Sequence, residues 1–318
     1  MIVVAGEALV DLVPAPTAAD GELAALLPRL GGGPYNVAVA AGRLGVPVSF
    51  LSKVSTDLFG EALIERLRTA GVHVDLVQRG PQPTTLAVVG LAADGSARYS
   101  FYVEGTADRL VTDPGPLPAQ VRAVSFGTLS LVLEPGASVY ERVMAREAER
   151  GVLTVLDPNI RTGLIHDPVG YRDRYESWLA HVRLLKVSIE DARWLADLPE
   201  DADEDAVLEV ARDWQRSGPA AIVLTRGSDG LAVLTGAGEV LRVPPTRVSV
   251  VDTIGAGDTV QGALLAWLDQ NDALSEDAVR GLDSPRWERA LTYAGAAAAL
   301  TCSRAGAEPP FAAELDIR

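Results

Sequence analysis

The sequence is poor in sulfur and in lysine. Its 318 residues include one cysteine, Cys302, two methionines and only two lysines, Lys53 and Lys186. A single cysteine excludes an intrachain disulfide and a thiolate zinc cage. In its Ala-rich surroundings Cys302 reads as a small buried hydrophobe. The three histidines, His73, His166 and His181, have no i,i+4 or other metal-ligand spacing. Positive charge is scarce overall. The net charge of -15 argues against a general nucleic-acid surface and leaves room only for a local basic pocket around an anionic ligand. The other basic residues are arginines, which reads as coding bias and not as mechanism. No apolar run is long enough to span a membrane, and residues 1–7 lack the basic start and cleavage site of a secretory leader. The expectation is a soluble cytoplasmic protein without nucleic-acid or membrane partners. Hydrophobic residues, at 48%, are ample for one large α/β domain or two small ones.

The most informative stretch is Asp252-Thr253-Ile254-Gly255-Ala256-Gly257-Asp258-Thr259, which runs into an apolar segment of helical period (Val260, Leu264, Trp267, Leu268). Gly255, Ala256 and Gly257 let a ligand approach the backbone closely. N–H groups at a helix start lack intrahelical acceptors and sit at the positive end of the dipole, so the turn is suited to phosphate. Asp258 places a carboxylate in that same turn. An acidic first-turn residue is also a favourable cap. Beside an anion pocket, however, it carries an electrostatic cost that a general base would explain.

Strand and helix patterns alternate along the chain in the manner of a doubly wound fold. Ile2–Ala5 reads as a buried strand ended by Gly6. Asp11 then interrupts an apolar stretch and is either a loop-edge residue or a ligand to hydroxyl groups. Residues 14–28 look irregular. Gly31-Gly32-Gly33-Pro34 turns into a helix closed by Gly45. Asn36 in its opening turn could reach a ligand beside the glycines, or be a simple capping or exposed position. A strand at 48–54 and a helix at 58–70 follow. Two β-rich runs, 84–92 and 97–103, flank the turn signal Asp94-Gly95 and interrupt the alternation. Residues 10–32 and 82–110 are therefore expected to form a small β lid on a single domain spanning 1–318; an ordinary edge hairpin is the alternative. The strand at 152–156 ends in Asp157-Pro158-Asn159-Ile160-Arg161, where open α/β sheets place ligand residues. The strand at 184–187 leads to Ser188, a candidate N-cap. Glu190 and Asp191 either complement the helix dipole or hold magnesium through water. After the strand at 221–224, Thr225-Arg226-Gly227-Ser228-Asp229-Gly230 is a tight turn that could pass close to phosphate or ribose, although a hairpin turn would look similar. The Ala-rich helix at 287–302 is fit to pack against the opening stretch.

Several of these stretches agree in order and spacing with one family. Gly31-Gly32-Gly33-Pro34-Tyr35-Asn36-Val37-Ala38, Asp57 with Phe59-Gly60, Thr225-Arg226-Gly227 with Gly230, and Asp252–Asp258 together resemble the signatures of the ribokinase-like (phosphofructokinase-B type) carbohydrate kinases. The resemblance implies a mostly parallel central sheet flanked by helices with a β lid, and ATP-dependent phosphorylation of a sugar hydroxyl. Carried over by position, Asp258 would be the base, and Gly255, Ala256 and Gly257 the anion hole. Asp11, Gly33, Asn36 and Arg161 would bind sugar. Ser188, Thr225, Gly227 and Gly230 would lie on the ATP side, Asp191 near magnesium, and Asp252 near a monovalent cation such as potassium. Three features look fructokinase-like: Gly6-Glu7-x-x-x-Asp11, Phe101-Tyr102-x-x-Gly105-Thr106-Ala107-Asp108, and Asp157-Pro158-Asn159-x-Arg161. Kinases of 2-keto-3-deoxygluconate share the last. Val103 stands where fructokinases often carry arginine, and Asp191 where many members have the longer glutamate.

The expected activity is thus in-line transfer from ATP to a primary hydroxyl, with fructose the leading substrate. The alternatives are 2-keto-3-deoxygluconate, a nucleoside or ribose, or a silent sugar-binding regulator, against which the intact Gly-Ala-Gly-Asp argues. A dehydrogenase is disfavoured because no Gly-x-Gly-x-x-Gly follows the first strand. The exposed edges of a β lid suggest a homodimer.

Overall fold

Strands and helices alternate from the first residues onward in the computed structural model, which describes residues 1–15, 24–91 and 97–315. Strands β1 (Ile2–Ala5), β2 (Leu9–Pro14) and β3 (Leu26–Gly31) precede helix α1 (Gly33–Arg43) and strand β4 (Val48–Ser55). Next come α2 (Leu58–Thr69), β5 (Val72–His73), β6 (Val77–Gly80), β7 (Thr85–Leu91) and β8 (Ala97–Tyr102). Alternation resumes with β9 (Ala123–Gly127), α3 (Gly136–Glu149), β10 (Leu153–Asp157), α4 (Pro168–Leu179) and β11 (Leu184–Ser188). Helices α5 (Ile189–Leu195) and α6 (Glu204–Ser217) lead to β12 (Ala221–Thr225), β13 (Leu231–Leu234) and β14 (Val240–Val243). The chain closes with α7 (Ala256–Gln270), α8 (Glu276–Arg280) and α9 (Ser284–Cys302).

The large sheet runs β14-β13-β12-β11-β10-β9-β1-β4-β5, with β6 also paired to β4. From β12 to β5 every pairing is parallel; β13 and β14 are antiparallel at one edge. Parallel strands covered on both faces need apolar residues throughout, and β1 is fully buried. Successive side chains on a strand point to opposite faces. Ile2 and Val4 accordingly join the core under α1, α2, α7 and α9, while Val3 and Ala5 join the core under α3, α4, α5 and α6. All parallel strands end on the same edge of the sheet, and the loops there carry the residues singled out above.

A second sheet, β3-β2-β7-β8, stands apart from the first. Here β2 and β7 are parallel, while β3 and β8 pair antiparallel at its edges. The stretch 14–28 was expected to be irregular, but β2 extends to Pro14 and β3 begins at Leu26. Residues 26–30 have no apolar alternation to announce a strand; pairing with β2 supplies the order instead. The Asp94-Gly95 turn lies outside the described residues, but the strands it joins are antiparallel, from Leu86 opposite Tyr102 to Leu91 opposite Ala97. Asp57 caps α2 through Gly60 N–H at 2.8 Å and also accepts from Thr84 N–H at 2.8 Å, tying α2 to the start of β7.

Candidate active site

The first turn of α7 faces the edge where the parallel strands end. Gly255, its N-cap, has φ of 75°, a left-handed conformation that favours glycine. A Cβ there would also stand 2.6 Å from the Ala307 methyl. The Ala256 N–H turns back to the Thr253 carbonyl at 3.2 Å, whereas those of Gly257 and Asp258 have no acceptor among the described residues. The Gly255 N–H likewise has no acceptor among the described residues, so of the Gly-Ala-Gly string only the Ala256 N–H is taken up. Thr259 Oγ1 bonds the Gly255 carbonyl at 2.8 Å and lies 2.9 Å from Thr301 Oγ1, which pins the turn to α9. Asp252 steadies the approach: it accepts from Ile254 N–H at 3.0 Å and from Gly306 N–H at 2.8 Å.

Asp258 is 8% exposed. Its Oδ2 accepts from Asn36 Nδ2 at 2.9 Å. Asn36 is therefore neither an exposed residue nor a simple cap, and its Oδ1 remains buried and unpartnered among the described residues. Burial pushes the Asp258 carboxyl up to about 6, against the Asn36 hydrogen bond and the nearby Lys186 charge, which hold it down. Asp11 on β2 is likewise raised to about 6 by burial, opposed by the Arg161 guanidinium and reinforced by Asp258.

Asp258 lines a cavity of about 280 Å³ together with Asp11, Gly33, Asn36, Arg161 and Gly257. That is close to the lower end of small-molecule sites, ~300 Å³. A larger cavity of about 950 Å³ lies beside it, bounded by Thr225, Gly227, Gly230, Glu190 and Ala256. Thr253 and Gly257 line both, so the first turn of α7 forms the partition between them. Ser188, Asp191 and Asp252 line neither. Ser188 caps α5 by accepting from Asp191 N–H at 2.9 Å. The Asp191 carboxylate accepts from Ile160 N–H at 3.1 Å and steadies the loop that carries Arg161. Among the described residues no cluster of three or more His, Cys, Asp or Glu could cage a metal.

Thr128 and Lys186 contribute to this region without any signal in the sequence, and Glu7 is marked there only as part of the motif Gly6-Glu7-x-x-x-Asp11. Thr128, just past β9, lines the smaller cavity with φ of 59° and receives a 3.3 Å hydrogen bond from Asn159 Nδ2; Asn159 itself has φ of 39°. A positive φ is a genuine outlier for a β-branched residue, and nothing in the string Gly127-Thr128-Leu129 signals it. A Cβ on Gly33 would come within 2.3 Å of Thr128 Oγ1, so the third glycine of the Gly-rich turn is set by that hydroxyl. Glu7 also lines the smaller cavity and accepts from Gly33 N–H at 3.2 Å and Ser130 N–H at 3.0 Å. Lys186 donates to Asp157 at 2.6 Å in a buried pair. The sequence marks Asp157 as a strand-end ligand candidate, whereas no local pattern marks Lys186 as a site residue.

Comparison with known proteins places this geometry. Residues 1–313 match the pfkB family of carbohydrate kinases. The chain is 38% identical over 285 residues to a fructokinase of Rhizobium leguminosarum bv. trifolii, covering 89% of this chain and 84% of that relative. Its fold superposes with a TM-score of 0.85 on the crystal structure of a fructokinase from Xylella fastidiosa with bound ATP, at 29% identity, covering 96% of this chain and 93% of that one. A fructokinase from Vibrio cholerae O395, solved with fructose, ADP and calcium ion bound, superposes with a TM-score of 0.80 at 25% identity, covering 96% and 94%.

Proposed function

We propose, because the chain belongs to the pfkB family of carbohydrate kinases, that it transfers the terminal phosphoryl group of ATP to a primary hydroxyl of fructose. The observation that carries this reading is the shared wall: Thr253 and Gly257 bound both cavities, and Asp258 stands beside them. We assign the smaller cavity to the sugar, with Asp11, Gly33, Asn36 and Arg161 as its contacts. Asn36 Oδ1 suits a hydroxyl donor, because it is a buried acceptor otherwise unpaired. The larger cavity takes ATP, with Thr225, Gly227 and Gly230 at its rim, and Ser188 supports it by fixing the start of α5. The relatives' names support fructose as the acceptor.

Asp258, ionised above about pH 6, accepts the hydroxyl proton as the oxygen attacks. The open N–H groups of Gly257 and Asp258, with Gly255 shaping the turn and Ala256 beginning the helix, stabilise charge on the transferring group. Magnesium keeps several waters and uses one or two carboxylates besides the phosphates. Glu190 on the larger cavity and Asp191 behind it would hold the ion through water; when bound it neutralises polyphosphate charge. We assign a monovalent cation such as potassium to Asp252, whose two oxygens each accept one N–H and retain lone pairs for an ion. The four-stranded sheet acts as the lid that excludes water. Its exposed Leu26, Leu27 and Tyr102 suit a homodimer interface, which the sedimentation mass tests. We expect a cytoplasmic location, where ATP is supplied.

A coupled ADP-release assay with fructose, 2-keto-3-deoxygluconate, ribose and adenosine tests the assignment. We expect kcat/KM to be highest with fructose by at least roughly tenfold, about 1.4 kcal/mol of transition-state binding. Preference for another acceptor would overturn the sugar assignment, and ATP binding without turnover on any acceptor would overturn the kinase reading.

A further inference from the structure

Lys186 on β11 is 4% exposed. Its ammonium donates to Asp157 Oδ2 at 2.6 Å, while Asp157 Oδ1 is buried with no partner among the described residues. A Cβ built on Gly257 would stand 3.1 Å from Lys186 Nζ, so the ammonium lies directly against the first turn of α7. Asp157 and Asp258 also face one small internal cavity of about 10 Å³, together with Gln261. Replacing a buried ion pair by apolar residues is often neutral or stabilising, so stability alone gives little reason for this one. Its position gives another.

The charges that face Asp258 come from three directions. Asp11 comes from β2, Asp157 and Arg161 from the end of β10 and the loop after it, and Lys186 from β11. Asp191 from α5, itself a buried carboxyl, faces Asp157, Lys186 and Arg161; the groups against the turn of α7 are otherwise neutral: Asn36 from α1, Thr301 of α9 against Thr259, and Ala307 against Gly255. Among these, Lys186 is the only buried cation. We propose that Lys186, held in place by Asp157, is a positioning residue for phosphoryl transfer whose charge sets the protonation of Asp258 from behind the anion-binding turn. This rests on reading Asp258 as the base. Lys186 favours the ionised carboxylate and Asp157 opposes it. Lysine is suited to this role as a compact point charge on a flexible stem.

The test follows the titration of Asp258 by carboxyl ¹³C NMR on the substrate-free full-length protein, with Asp258→Asn to identify the signal. This readout does not depend on which acceptor the enzyme uses. A failure of the sugar screen and a failure here are therefore separable. Lys186→Met is expected to move the titration up by about one pH unit, Asp157→Asn to move it down, and Lys186→Arg to stay near wild type. On the acceptor that turns over, Lys186→Met is expected to move the acid limb of kcat up with that titration, lowering kcat about tenfold near pH 5 and little at pH 8, with little change in the acceptor KM. Unchanged titration in both charge-removing variants, or shifts of the same sign, would overturn the proposal. Either single variant leaves a buried charge uncompensated and could fail to fold. The neutral double variant, Lys186→Met with Asp157→Asn, then decides: the two opposed charges are both gone, so it is expected to titrate near wild type and to recover most of the kcat lost in Lys186→Met. A double variant that titrates near wild type yet stays as slow as Lys186→Met, or whose titration stays shifted as in Lys186→Met, would refute the role.

Discussion

Asp258 combines three conditions at one atom pair: it is buried, it accepts a hydrogen bond from Asn36, and it stands beside open helix N–H groups. An ordinary aspartate has a pKa of about 3.9 and is a feeble base at neutral pH. Raised to about 6, it remains mostly ionised at pH 7 while holding a proton more tightly. Two consequences follow for the enzyme in solution. Asp258→Asn should lower kcat by at least roughly a hundredfold with little loss of sugar affinity. The wild-type rate should also fall with an acid limb near pH 6, dropping about tenfold per pH unit below it. Stopped assays across pH 5 to 8 read both at once, and near-normal turnover in the asparagine variant would remove Asp258 from the mechanism. The Asp and its glycines could be read from the sequence because a carboxylate in an anion-binding turn is chemically anomalous. Thr128 could not, because its site role lies in a backbone angle that its neighbours do not encode.

Helices α1 and α7 carry Asn36 and Asp258, so their separation sets the geometry of that hydrogen bond. They touch at Gly262, where an added Cβ would stand 2.7 Å from the Ala40 methyl and 2.8 Å from the Val37 carbonyl. We expect Gly262→Val to force the helices apart, destabilising the fold by about 1–3 kcal/mol and lowering kcat, since Asn36 would no longer meet Asp258 squarely. Urea midpoints and initial rates on the same preparation test this; a variant unchanged in both would mean that the helix contact does not govern the site. Most elements were visible in advance, because apolar runs of four or five residues between glycines leave little choice in a sheet buried on both faces. The miss at β3 has the opposite cause. An edge strand with four exposed residues carries no burial pattern, and its order comes from β2. Lys186 was missed for a third reason: the value of its charge depends on what β10 and α7 bring beside it, which no local pattern records.

At the scale of the molecule, a chain of net charge -15 buries carboxyl groups in its interior. Glu7 lies between the two sheets, and burial and neighbouring Asp108 push its carboxyl up to about 8, more than the N–H groups of Gly33 and Ser130 hold it down. Its unfolded value is 4.5, so folding favours the protonated form. That contribution is fully present below pH 4.5 and is lost as the pH rises towards 8. We expect Glu7→Gln to match wild type in denaturant stability near pH 5 and to exceed it by a few kcal/mol, in order of magnitude, near pH 8.5. Parallel stability curves for the two proteins across that range would show that Glu7 does not titrate within it. Asp108, also raised by burial, leaves a residual slope in the variant. The site itself draws on distant parts of the chain. Asp11 and Gly33 come from its beginning, while Gly306 donates to Asp252 and Ala307 backs Gly255 near its end. Arg66 and Arg43 clamp that late loop through Glu308 at 2.9 and 2.8 Å. During synthesis, then, the anion-binding turn emerges before the segment that supports it. A growing chain therefore carries Asp258 for some fifty residues before Gly306 and Ala307 emerge to back its turn, and the turn is incomplete until they do.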